Sequence, residues 1–348
     1  MTFLERIYRS NFIITLTHWE YWPFAVLQTP FFLYWLWLSL KARSLFFFSA
    51  SNPGIFTGGM MGESKFEVLN LLPPDVRSKT AFIKLPATLE NIKSAISALG
   101  LSYPVIFKPD LGERGWKVSK IEHDHQASQY LRTINTDFII QEFLDMPLEF
   151  GVFYVRHPGE ETGKVISINS KEMLRATGNG KDTLEQLVLQ NERAILQSER
   201  LKKIFQEDWR RIIPLGEMVE LNSIGNHCLG TKFMNGNSLI TTRLNASFDE
   251  LSKKINGFYF GRFDLRCASL NDLENGNVKV MELNGCGSEP AHIYQPGFSL
   301  WKALGVLSKH WNTMYQISKE NHKRGIPYLS FSEGLKNYRR VTAILGKS

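Results

Sequence analysis

Apolar positions along this chain recur with helical spacing in some stretches and as short bounded runs in others. In residues 89–99, Ile92, Ala95, Ile96 and Leu99 share one face of a predicted helix that Gly100 ends. From Phe298 onward, Leu300, Trp301, Leu304, Leu307, Trp311 and Met314 recur at helical spacing and predict a packed amphipathic helix. Runs at 103–108, 138–143 and 150–155 read as buried strands, the last two separated by the turn-like LDMPLE. Further strand candidates fall at 218–221 and 239–242, and a final apolar pair at 260–268 and 278–283 is joined by the polar NDLENGN. Thr183-Leu184-Glu185-Gln186 has the form of a capping box and predicts the start of a long polar helix running to about Phe205. Asn52-Pro53-Gly54 and Thr57-Gly58-Gly59 punctuate the chain as turns, predicting a linker or a phosphate-facing loop. No repeat of solenoid period is visible.

Residues 21–40 break the pattern, reading YWPFAVLQTPFFLYWLWLSL without a charge. The stretch has about the ~20 residues that a bilayer-spanning helix needs. Pro23 and Pro30 oppose one straight helix, since each lacks a backbone donor. Abundant Trp and Tyr, with Lys41 and Arg43 directly after, resemble a headgroup-level segment. Three readings stay open: membrane-surface contact through residues 21–48, a true span, or aromatic cover for a soluble core. A cleaved signal peptide fits poorly, because no small-residue cleavage site precedes Phe46-Phe47-Phe48.

The length of 348 residues allows two or three linked lobes, and 43% hydrophobic with 22% charged residues excludes wholesale disorder. Cys228, Cys267 and Cys286 are scattered and lack CxxC spacing, which points to a reducing compartment without structural zinc. A formal charge of +7 suits an anionic partner such as a nucleotide or a lipid surface. Nucleic acid is disfavoured, because no dense Lys/Arg tract interleaves with aromatics.

Candidate chemistry concentrates in two places. Lys108 ends a predicted strand just before the glycine-containing PDLGERGWKV, so a cation and several backbone amides could surround polyphosphate. Neither a Walker loop nor a GxGxxG fingerprint is present. In the final strand pair, alternate residues share a face, which aligns Arg262, Asp264 and Arg266 and, on the partner, Glu282 and Asn284. Antiparallel pairing would converge two carboxylates and an amide oxygen, a donor set that suits magnesium. Asp and Asn are depleted in strands, so their presence there asks for a reason.

GRFDLR and MELNG resemble the metal-binding strands of the ATP-grasp superfamily, especially D-alanine:D-alanine ligase-like members. FKPDLGERGWKVSKI resembles their phosphate-loop strand, and LRATGNGKDTLEQLV is similar to a segment of cyanophycin synthetase. The resemblance runs from about Gly58 to Pro296 and implies an α+β ATP-grasp fold, two lobes enclosing ATP. It divides the chain into an aromatic segment (1–50), a small preceding region (51–100), a small lobe (101–155), a large lobe (156–320) and a tail (321–348). It also implies that Lys65 and Lys108 contact ATP phosphates. Gln141, Glu142, Phe143 and Leu144 would present backbone groups to adenine, and Glu149 would bind the ribose. Asp264, Glu282 and Asn284 would hold magnesium or manganese, while Arg262 would stabilise the transferring phosphoryl group.

The activity implied is ADP-forming ligation of a small-molecule carboxylate to an amine, in the cytoplasm or at the inner face of its membrane. A phosphotransferase and a non-catalytic nucleotide-binding protein are the alternatives. The amides of 285–288 would hold a developing oxyanion, and Lys171, Arg175 and His227 are candidates for substrate contact. Cys286 as a catalytic thiol has no support beyond its position. The bulky Trp116, with Glu113 and Arg114, departs from the small residues that the ligases place in this loop, and Glu289, Pro290 and His292 depart from the dipeptide ligases.

Overall fold

In the computed structural model, which describes residues 11–112, 115–222 and 225–346, the chain is α+β and every sheet is antiparallel. β1 (Thr80–Ile83), β2 (Val105–Pro109), β3 (Ser119–Ile121) and β4 (Phe138–Glu142) form a sheet in the order β1-β4-β2-β3. Alternation puts Phe107, Phe138 and Ile140 on one face. There they pack on Ile92 and Ile96 of the helix Leu89–Ala98 and on Ala127 and Tyr130 of the helix Asp124–Thr133. Thr88 opens the first of these helices with a capping box to Asn91.

After β5 (Leu148–Val155) and β6 (Lys164–Glu172), a separate ribbon pairs β7 (Arg175–Thr177) with β8 (Met218–Glu220). β9 (Lys232–Asn235), β10 (Phe260–Cys267) and β11 (Lys279–Asn284) then complete a second sheet in the order β11-β10-β5-β6-β9. Its central strands bury both faces. Phe150, Val152, Tyr154, Phe263 and Leu265 meet Leu244, Phe248 and Leu251 of the helix Thr242–Lys253. On the opposite face Phe153, Val155 and Phe260 meet Met314, Tyr315 and Ile317 of the helix Leu300–Lys323. That second face turns polar towards one end, where residues 149, 262, 264 and 266 replace the apolar ones.

Several expectations are corrected. The segment 239–242 is no strand: Thr241 accepts from the Leu244 N–H and caps the helix Thr242–Lys253, so local hydrogen bonding outweighs the β-branched composition. The long polar helix starts at Thr183 as expected but breaks into Leu184–Gln190, Glu192–Ile195 and Ser198–Ile204. Asn191 makes the break, taking an extended conformation and capping the Arg193 and Ala194 amides. Residues 52–59 are no free linker. Asn52 is fully buried, donates to the Gly58 and Phe260 carbonyls and accepts from the Tyr259 and Phe260 amides.

The aromatic segment forms the helix Phe24–Ala42 with Pro30 inside it, and Pro23 stands at the N-cap, where its missing donor does no harm. Leu27 and Phe31 pack on Ala303 and Leu307, and Leu38 joins the cluster with Met314. No helix among the described residues is long and apolar enough to cross a membrane, which removes the spanning reading.

Buried histidines give this fold a defined acid response. Burial pushes His292 down to about 4, and His227 and His310 down to about 3, from an ordinary 6.5. His310 lies edge-on to Phe153 and tilted against Phe260, with no hydrogen-bond partner at Nδ1 among the described residues. The unfolded chain therefore binds protons below pH 6.5 that the folded chain refuses. Stability is complete above 6.5 and falls as pH drops towards 4, by up to about 1.4 kcal/mol per pH unit for each histidine. Urea unfolding between pH 7 and 5 should show that decline, and His310→Phe should lessen its slope.

Candidate functional site

The two sheets face each other across a cleft of about 1080 Å³. They are joined at one seam, where Ser78 N–H donates to the Val280 carbonyl and Val280 N–H to the Val76 carbonyl, at 3.0 and 2.7 Å. Close by, β11 departs from regular pairing: Asp264 lies opposite Glu282, but Leu265 lies opposite Val280, so Met281 is an extra residue. A bulged residue leaves the ladder and turns its backbone elsewhere. Its carbonyl accepts from Lys108 Nζ at 3.2 Å and from Gln141 Nε2 at 2.9 Å, both on the other sheet.

All eleven residues assigned roles from the sequence line this one cleft: Lys65, Lys108, Gln141, Glu142, Phe143, Leu144, Glu149, Arg262, Asp264, Glu282 and Asn284. Arg262 and Asn284 are direct cross-strand partners, as are Asp264 and Glu282. Arg262 grips Asp264 through Nε and an η-nitrogen at 3.2 and 3.0 Å, and its other η-nitrogen donates to the Glu289 carbonyl. Asn284 Nδ2 donates to the same carboxylate at 2.9 Å, and Lys171 Nζ lies 3.3 Å from it. Lys171 also pairs with Glu149 at 3.0 Å, and Arg266 holds the second Glu149 oxygen at 2.8 Å. A chain of alternating charge thus runs from Arg266 through Glu149, Lys171 and Asp264 to Arg262.

Burial penalises every one of these charges, and their partners decide the balance. Burial raises Asp264, but Arg262 and Lys171 beside it hold the carboxyl below its usual range. Burial lowers Lys171, yet the Asp264 and Glu149 carboxylates carry it above the ordinary lysine value. Lys108 goes the other way: burial brings its amine down to about 8, with Glu282 opposing and Lys65 assisting.

The donor set of Asp264, Glu282 and Asn284 fits a hard divalent cation. The Glu282 carboxylate makes no hydrogen bond or ion pair with any described residue, so a full carboxylate is open to a ligand. Among the described residues no cluster of three or more His, Cys, Asp and Glu could hold a metal. Magnesium needs only one or two carboxylates beside phosphate and water oxygens, and it accepts an amide oxygen.

Other assignments change. The amides of Cys286 and Gly287 donate to the carbonyls of Gly58 and Gly59 at 3.0 and 2.8 Å, and Ser288 N–H donates to Gly285, so three of the four amides expected to hold an oxyanion are occupied. The approach is close because glycines meet: a Cβ on Gly285 would stand 2.3 Å from the Gly58 carbonyl oxygen. The Cys286 thiol is buried outside the cleft lining and pushed up to about 12, which makes it a poor nucleophile. Arg175 lies on β7, away from the cleft, opposite Glu220. His227 does line the cleft, among the rings of Tyr21, Phe233 and Tyr294.

At the hinge, the Glu142 amide and the Leu144 carbonyl are occupied by Lys79 and Arg266, which leaves the Phe143 and Leu144 amides for a base. Both Glu149 oxygens face cations, so a ribose hydroxyl would share one of them with Lys171 or Arg266. Trp116 lines the cleft, while Glu113 and Arg114 lie outside the described residues.

Sequence reasoning had no view of the wall contributed by the aromatic segment. Trp19, Glu20, Tyr21 and Trp22 line the same cleft. Glu20 pairs with Arg193 at 2.6 Å, both buried, and the Arg193 guanidinium lies over the Tyr21 ring at 5.0 Å. The only available signal was a charged residue beside an apolar run.

No family model and no curated protein matches the chain. Among solved structures it is similar to a D-alanine–D-alanine ligase from Bacillus anthracis, at 13% identity and TM-score 0.43, covering 77% of this chain and 71% of that one. It is similar to the VanG D-Ala:D-Ser ligase from Enterococcus faecalis, at 13% identity and TM-score 0.42, with 75% and 62% covered. A bifunctional glutathione synthetase from Pasteurella multocida gives 14% identity and TM-score 0.37, with 71% of this chain covered. The match spans only 36% of that synthetase's length.

Glu149 holds two cations in a nearly dry site, and removing a buried partner leaves charge without compensation. Glu149→Gln should therefore destabilise the protein by about 3–5 kcal/mol, read as a lower urea midpoint. A change below about 1 kcal/mol, the range of exposed pairs, would contradict the burial of this chain of charges.

Proposed function

We propose that this chain is an ATP-dependent carboxylate-amine ligase of the ATP-grasp kind, requiring magnesium or manganese and forming ADP. The observation that carries the reading is the directly opposed pair Asp264 and Glu282, with Arg262 and Asn284 two positions along the ladder on the same face, facing Lys108 across the cleft. Opposed carboxylates among buried cations suit a polyphosphate with its metal. An ordinary sheet face would gain nothing from them.

In this reading Asp264, Glu282 and Asn284 would hold the divalent cation, which when bound offsets triphosphate charge. Lys108 and Lys65 would neutralise phosphate oxygens from the opposite sheet, and the backbone at Phe143 and Leu144 would meet the base. Arg262 is placed to stabilise charge on the transferring phosphoryl group, since positioning and charge neutralisation supply most of the catalysis in such transfers. A substrate carboxylate oxygen would attack the γ-phosphorus, releasing ADP and giving an acyl phosphate. An amine would then attack the acyl carbon, phosphate would leave, and the amine proton would pass to solvent. Lys171, beside Asp264, would help hold the incoming carboxylate.

Purified protein with MgATP and paired acids and amines should release ADP and phosphate only when both partners are present. Glu282→Gln is the sharper variant, because that carboxylate has no described ion pair to lose. It should keep its melting temperature while turnover falls at least about a hundredfold, the scale expected for losing an electrostatic group in the site. Full activity in Glu282→Gln or Asp264→Ala would remove the metal assignment. Accumulation of a stable phosphorylated product would assign the site to phosphoryl transfer. Lys108→Met should weaken ATP binding by calorimetry at least about tenfold, the scale of one charge-assisted contact.

A further inference from the structure

We propose that the outer face of the helix Phe24–Ala42 docks on an anionic lipid surface, with the helix lying along that surface. The helix is apolar on all sides, and no charged residue occurs from Phe24 to Leu40. A helix of that composition needs apolar surroundings on every face. The protein covers one: Leu27, Phe31 and Leu38 are buried against the helix Leu300–Lys323. The other face leaves Val26, Phe32, Leu33, Leu36, Trp37 and Leu40 exposed, Leu33 at 65% and Leu40 at 73%.

Val26, Leu33, Trp37 and Leu40 follow spacings of seven, four and three, so they form a continuous stripe along the helix. The exposure is also localised. Of the twenty large apolar side chains that stay exposed among the described residues, nine lie between residues 12 and 45. A contiguous patch of this kind marks a surface meant to meet something apolar.

Charge and side-chain type favour lipid over a protein partner. The stripe carries an exposed tryptophan and ends on exposed Lys41 and Arg43, and the whole chain carries +7. Indole rings and basic side chains favour the headgroup layer, and basic residues gain further from anionic lipid. The helix is not long and apolar enough to cross, which leaves it parallel to the surface. Immediately before it, residues 19–23 wall the cleft. Docking would therefore set the cleft wall next to the lipid surface, where a lipid-borne or membrane-delivered substrate could be handed to it. The surface stands independently of the reaction in the cleft.

The test is cosedimentation of the full chain with vesicles of phosphatidylcholine alone and of phosphatidylcholine mixed with phosphatidylglycerol. Binding should appear with the anionic vesicles and weaken with salt. Leu33→Glu combined with Trp37→Glu should reduce it by roughly tenfold or more, as loss of buried apolar area requires. Lys41→Glu with Arg43→Glu should remove the preference for anionic lipid. ATP binding should stay unchanged in both, since none of these residues lines the cleft, and thus the outcome is separate from that of the ligase reading. Should a glutamate variant fail to fold, Leu36→Gln with Leu40→Asn asks the same question with less disruption. No binding of the unaltered chain to either vesicle overturns the proposal. So does a concentration-dependent dimer, seen by sedimentation velocity, that the same substitutions dissolve, because a second copy would then own the face.

Discussion

Everything in the cleft depends on one backbone irregularity, the extra residue at Met281. As an edge strand β11 turns alternate carbonyls outward, that of Val280 to Ser78 among them, but in a regular strand the Met281 carbonyl would face β10. The bulge turns one carbonyl outward, and Lys108 and Gln141 both donate to it. Without it Lys108 would lose this hydrogen bond, a penalty of about 1–3 kcal/mol, whereas Gln141 Nε2 would keep the Ser78 hydroxyl at 2.7 Å. The same slip sets Glu282 opposite Asp264. A single inserted residue thus both fastens the sheets and aligns their charges.

The charges form a second constraint. Asp264 is shared by Arg262, Lys171 and Asn284, and Glu149 by Lys171 and Arg266. Isolated charges at this depth would be prohibitive, and pairing in a chain lets each carboxylate compensate two cations. Three cations against two anions leave the chain with an excess positive charge, and Lys108 adds to it from across the cleft. Glu282 has no described ion pair. Across the described lining of the cleft, acidic and basic side chains are close to balanced, so the positive excess is local to this chain of charges.

Much of this was legible because the chemistry violates local preference. Asp264 and Asn284 sit in strands that disfavour them, and their alternation with apolar residues shows which face they occupy. Lys108 could be placed because it closes a buried run. The parts that stayed hidden depend on partners distant in sequence. β6 contains the buried Ser167 and Asn169, which interrupt any apolar run, so only its neighbours β5 and β9 define it. The Met281 bulge exists only relative to β10. The loop after Asn284 looked rich in free amides, and only contact with Gly58 and Gly59 shows them occupied. Thr241 and Asn191 misled for one reason: short polar side chains that bond to nearby amides redirect the backbone, whatever the flanking composition suggests.

The aromatic segment shows how one element can serve two surfaces. Its first part enters the cleft wall, anchored by the buried pair of Glu20 and Arg193. Burial holds the Glu20 carboxyl above its ordinary range despite the guanidinium beside it, so the pair is short of solvent on both sides. Trp19 Nε1 donates to the Phe298 carbonyl at 2.6 Å, tying the same turn to the approach of the helix Leu300–Lys323. The helix that follows is held by that same long helix along its inner face. Its two ends are therefore held by the same long helix, so the exposed stripe and the cleft wall belong to one packed unit with Arg193 and Phe298.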